Sequence, residues 1–161
     1  MKIKPNYIVI PLVVIVVAVL GSLATSANLG WYNTLKLPSV APPGQVIGTI
    51  WTVLYVLIVA SALIFWNRAN SSKYFRLIVA VFLLNAYFNA FWSFTFFSFH
   101  MIFLSLLVSG VMALTIFTLI GLIYPRQRTA ALLLIPYGVW VIIATYLNYL
   151  IWVLNRTPLH F

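Results

Sequence analysis

Three indoles and three side-chain amides recur at helical spacing in this chain. Asn85, Asn89, Trp92 and Phe96 follow one another at four, three and four residues, and Tyr137, Trp140, Ala144 and Asn148 at three, four and four. Trp51 and Tyr55 are four apart. Residues three and four apart share a helix face, so each set forms one stripe. Indoles offer flat stacking surfaces, and amides offer both donors and acceptors. Gly44, Gly48 and Ala144 leave room beside them. A concave apolar pocket with a few polar groups is the usual form of a small-molecule site. A flat, apolar, anionic ligand suits such a lining, with Lys36 at the edge to pair with a carboxylate. The alternative for each asparagine is hydrogen-bonded glue between helices, and for each tryptophan ordinary packing.

Other chemistries are removed by composition. No Asp or Glu occurs in the 161 residues, while nine Lys and Arg give a net charge of +9. Paired-carboxylate catalysis, carboxylate-held Ca²⁺ or Mg²⁺, a Ser-His-Asp triad and proton relays through membrane acids are therefore excluded. Cysteine is absent, which excludes disulfides and thiolate chemistry. His100 and His160 are single residues near helix ends, and a metal site needs several ligands at set geometry. They read as solvated surface histidines.

The elements that must position these residues cross a membrane. The chain is 65% apolar, and five stretches reach the roughly 20 residues a span needs. They cover about 7–26, 45–66, 74–97, 101–124 and 131–155. Runs such as Ile8 to Leu20 lack the alternation of a barrel strand, so the expected fold is all-α, an integral membrane bundle of five transmembrane helices in one domain. The first span has a longer apolar core than the roughly 7–15 residues of a signal peptide. It reads as a retained helix. Lys2, Lys4, Arg68, Lys73, Arg76, Arg126 and Arg128 fall on one side of this topology, and Lys36 and Arg156 on the other. Positive residues favour the cytoplasmic side, so the N-terminus is expected inside and the C-terminus outside, in a bacterial cytoplasmic membrane. These short juxtamembrane positions point to the lipid bilayer as partner, not to nucleic acid.

Three connections are short, but residues 27–44 form a long one, stiffened by Pro38, Pro42 and Pro43 and weighted with Trp31 and Tyr32. It reads as an ordered lid over the outward end. Trp51 lies about 9 Å inside the second span at about 1.5 Å per residue, so the stripes converge beneath that lid. Lys73-Tyr74-Phe75-Arg76-Leu77 fits a loose inverse cholesterol pattern. Ala86 with Ala90, and Gly44 with Gly48, have the small-residue spacing that permits close helix contact.

Read in order, several segments resemble the TspO/MBR family, the tryptophan-rich sensory or translocator proteins (peripheral-type benzodiazepine receptors). They are Trp31-Tyr32 with Leu35 and Pro38, Pro42-Pro43, Trp51 with Leu54-Tyr55, and Asn89-Ala90-Phe91-Trp92-Ser93 with Phe96-Phe97. Pro136-Tyr137, Trp140, Ala144-Thr145, Leu147-Asn148 and Leu154-Asn155 complete the set. The chain departs from the family pattern in the lid. Leu37 stands where the family has Lys before the first loop proline, with Lys36 one residue earlier, and Val40 stands where it has Trp.

The resemblance implies a five-helix bundle, often a homodimer, that binds porphyrins such as protoporphyrin IX and haem as ligands, with no obligatory cofactor. It also implies binding of synthetic isoquinoline and benzodiazepine drugs and, in animals, cholesterol. Expected ligand-binding residues are Trp31, Tyr32, Lys36, Pro42, Ile47, Trp51, Tyr55, Asn89, Trp92, Trp140, Ala144 and Asn148. The leading expectation is a membrane tetrapyrrole-binding sensor or carrier. The alternatives are light- and oxygen-dependent porphyrin breakdown beside Trp51 and Trp140, and sterol or lipid transport.

Overall fold

A computed structural model describes residues 4–69 and 71–156. Lys2 and His160 lie outside the described residues. Six α-helices form, with no strand among the described residues: α1 (Asn6–Ala27), α2 (Leu29–Tyr32), α3 (Gly44–Arg68), α4 (Phe75–Ser93), α5 (Ile102–Ile123) and α6 (Arg128–Asn155). A π-helical turn, Phe94–Ser98, extends α4. Five of these helices, with α4 counted through its π-turn, are long and apolar enough to cross a membrane. The protein is an integral membrane protein, all-α, with five spanning helices.

Around the bundle the packing order is α1, α3, α6, α5, α4 and back to α1. Burial is uneven around that ring. Nine residues of α6 are buried, but only Asn6 and Ala24 of α1 are. In water such an apolar helix would be unstable, whereas in a bilayer its outward residues meet lipid chains as apolar as themselves. The largest core cluster lies between α3, α4, α5 and α6 and holds Leu54, Phe65, Ile78, Met112, Ile116, Tyr137, Trp140 and Val141.

Two close contacts depend on glycine. A Cβ on Gly21 would lie 3.1 Å from the Ser93 Oγ, and one on Gly138 would lie 3.3 Å from the Phe117 ring. Gly44 and Gly48 behave otherwise: a Cβ on either would meet nothing within 4 Å. Their spacing creates open space at the start of α3 instead of a helix contact.

The π-turn has a local cause and consequence. Phe99 N–H donates to the Phe94 carbonyl at 2.8 Å, which puts one extra residue in the turn. Thr95, Phe96 and Phe97 are thereby buried in succession, as a regular single-stripe helix would not allow. Those two phenylalanines carry the lid.

Candidate functional site

The 27–44 connection is an ordered cover. Its one turn of helix, α2, presents Trp31 and Tyr32 to the π-turn. Trp31 meets Phe96 edge-on at 5.7 Å, and Tyr32 lies 5.7 Å from Phe97. Burial raises the Tyr32 phenol above its usual pKa. His100 sits at φ 57° in the turn before α5, and its ring stacks on Trp31 at 4.1 Å. It is exposed, yet it also holds the lid from the outer side. Midway along the lid, Asn155 clasps the backbone of Lys36. Its Oδ1 accepts the Lys36 N–H and its Nδ2 donates to the Lys36 carbonyl, both at 2.9 Å. The Lys36 residue is exposed, and Pro42 is half-buried just before α3.

Beneath the lid, the expected site residues divide into two groups. Trp31, Tyr32 and Trp92 surround Phe96 and Phe97, with Ile151 behind them. Trp92 stacks on Phe96 at 5.4 Å, and its indole N–H donates to Asn148 Oδ1 at 2.9 Å. Asn148 Oδ1 also accepts from Ser105 Oγ at 3.0 Å, while its Nδ2 donates to the Ile102 carbonyl at 3.1 Å. This amide ties α4, α5 and α6 together.

Ile47, Trp51 and Trp140 belong instead to the main core cluster. Trp51 lies 5.5 Å from Tyr55 and 6.1 Å from Tyr137, ring to ring. Trp140 is 8% exposed, and its indole nitrogen has no hydrogen-bond partner. Ala144 is half-buried between Trp140 and Asn148 along α6.

Deeper still, a chain of hydrogen bonds joins four helices. Tyr55 OH donates to Asn89 Oδ1 at 3.0 Å, and Asn89 Nδ2 donates to Tyr137 OH at 3.1 Å. Tyr137 OH donates to Asn85 Oδ1 at 2.9 Å, and Asn85 Nδ2 to Thr115 Oγ1 at 2.8 Å. Each donor finds an acceptor, as buried polar groups in a bilayer must. The chain borders a cavity of about 30 Å³ that all five spanning helices line, including Val14, Tyr55, Asn89, Ile116 and Tyr137. That is enough for water but far too little for a drug-sized ligand. Its lining contains none of the three indoles.

The model of the TspO/MBR family matches residues 9–153. The chain belongs to the TspO/MBR family. Among its relatives, a tryptophan-rich protein TspO of Bacillus cereus is 38% identical over 125 residues, covering 78% of this chain and 80% of its own. One from the archaeon Archaeoglobus fulgidus is 31% identical over 148 residues, covering 89% and 93%. Protein CrtK of Rhodobacter capsulatus is 30% identical over 125 residues, covering 78% of each.

In this TspO/MBR chain, sequence reasoning missed Thr115, Ser105 and the unpaired amide nitrogen of Asn6. The first two carried a signal. Ser105, Ser109, Met112 and Thr115 recur at four, three and three residues, a polar stripe in an otherwise apolar span. Asn6 carried none.

Proposed function

We propose that this protein binds a tetrapyrrole, protoporphyrin IX or haem, beneath the lid and against Trp51 and Trp140, as a membrane sensor or carrier. The observation that carries the reading is the unpaired Trp140 nitrogen. Among the described residues, only two buried side-chain nitrogens or oxygens lack a partner, that of Trp140 and that of Asn6. A buried donor without an acceptor costs about 1–3 kcal/mol, so an acceptor supplied by a ligand would offset that penalty. The half-buried face of Trp51 and the exposed Lys36 add a stacking surface and a cation.

Ligand pockets usually span about 300–1,000 Å³, an order of magnitude above the internal cavity. A tetrapyrrole against Trp140 needs more room than that cavity, and the lid is tied to α6 by the Asn155 clasp alone of the side-chain bonds described. We place the lid on the outer face of a bacterial cytoplasmic membrane, with the basic end in the cytoplasm. Reporters at Asn70 and after Phe161, both outside the described residues, should read inside and outside respectively. We also assign the apolar groove of about 390 Å³ between α1 and α4, lined by Ala86, Tyr87 and Ala90, to a second copy of the chain. Ala90→Leu should then weaken a homodimer in mild detergent.

The test of the reading is a protoporphyrin IX titration, in the dark and in light, that follows tryptophan fluorescence and porphyrin absorption. Saturable quenching with unchanged absorption in light supports a sensor or carrier. New light-dependent absorbing products that vanish in Trp140→Phe support porphyrin breakdown, and absence of quenching removes the reading. Lys36→Gln should weaken the diacid and spare the dimethyl ester, because only a charge pair is lost.

A further inference from the structure

The opposite end of the bundle carries a cluster that tetrapyrrole binding does not use. Arg126 lies in the α5–α6 connection, three residues beyond the last residue of α5. Its Nε donates to Ser72 Oγ at 3.2 Å, and its Nη1 donates to the Leu122 carbonyl. The guanidinium carbon lies 4.0 Å from the centre of the Tyr74 ring. Lys73 brings its ammonium to 5.1 Å from the same centre. The Ser72 hydroxyl also accepts the Tyr74 backbone N–H at 3.3 Å, which fixes the loop that carries both. Arg126 is the one lysine or arginine among the described residues that is not exposed.

Two cations thus converge on one ring, and the chain contains no Asp or Glu to neutralise them. A ring face attracts a cation but carries no net charge. The serine and the carbonyl take the Nε donor and one Nη1 donor, which leaves both Nη2 donors and the second Nη1 donor of a planar group that matches phosphate. Tyr74 immediately precedes α4, so the cluster lies at the end of the spans, where lipid phosphates lie. Leu77, three residues further along α4, is exposed and would lie against an acyl chain of a bound lipid. A free phosphate would gain nothing from it. The same ring is the tyrosine of the loose sterol pattern, and the cations already occupy it.

We propose that Arg126 and Lys73, arranged around Tyr74 and Ser72, form a specific receptor for the phosphate of an anionic phospholipid. The site is independent of the lid pocket. The test is native mass spectrometry of the full chain in neutral detergent with dioctanoyl phosphatidylglycerol or dioctanoyl phosphatidylcholine. The unmodified chain should retain the anionic lipid about fivefold or more over the zwitterionic one. Arg126→Gln should abolish most of that preference, whereas Arg156→Gln, the same charge loss at the lid end, should preserve it. Ser72→Ala removes only the bond that orients the guanidinium and should lower the preference in part, so it decides the matter if Arg126→Gln does not fold. Equal losses in Arg126→Gln and Arg156→Gln would overturn the proposal. So would displacement of the lipid by an equal concentration of inorganic phosphate, which would mark a free-anion site.

Discussion

The surroundings of Trp92 and Trp140 differ in one atom's worth of chemistry. Both indoles sit on stripes at helical spacing, and both are flanked by aromatic and aliphatic side chains. The Trp92 nitrogen reaches Asn148 at 2.9 Å, and that amide continues to Ser105 and Ile102. The Trp140 nitrogen, in the more buried residue, reaches nothing. Where the donor is paired, the region is glue between helices. Where it is not, the region keeps a donor without an acceptor.

The comparison can be broken most forcefully at Asn148. Replacing it with alanine removes three interhelical hydrogen bonds, and such bonds average about 0.6 kcal/mol each in a membrane. Asn148→Ala should therefore lower stability by about 2 kcal/mol, measured by reversible unfolding in mixed micelles. A change below about 0.5 kcal/mol would mean that the Asn148 bonds are not glue. Trp92→Phe loses one of those bonds and should lower stability by about 0.6 kcal/mol in the same assay. Asn155→Ala should change global stability least, since the clasp is exposed and joins only the lid to α6. Its effect should appear locally, as faster hydrogen exchange at the Lys36 amide with little change in α6 itself. Unaltered exchange at Lys36 would mean the lid is held by its aromatic contacts alone.

The spanning helices were legible because a bilayer sets a length that few apolar runs meet by accident. The lid was legible for a similar reason, since three prolines and two large aromatics do not make a flexible tether. The stripes of the site were legible too, because three- and four-residue spacing states which residues share a helix face. It does not state which helix that face meets. Consecutive α3 and α4 have α1 packed against both, so the pairing of Tyr55 with Asn89 across the interior emerges only from the packing order. The π-turn was hidden because a run of aromatic residues reads the same with or without an extra residue per turn. Gly44 and Gly48 misled in the opposite sense, since small residues permit close contact without requiring it.

Protoporphyrin IX binding by Trp140→Phe, compared with Trp92→Phe in the dark, tests the central claim most directly. Phenylalanine keeps a ring in the core but removes the N–H, so Trp140→Phe loses no hydrogen bond in the unliganded bundle. Trp140→Phe should lose no stability through hydrogen bonding but about 1 kcal/mol of affinity, roughly fivefold. Trp92→Phe should show the reverse balance, a stability loss with affinity nearly intact. Wild-type affinity in Trp140→Phe, or a greater loss in Trp92→Phe, would contradict the placement of the ligand against Trp140.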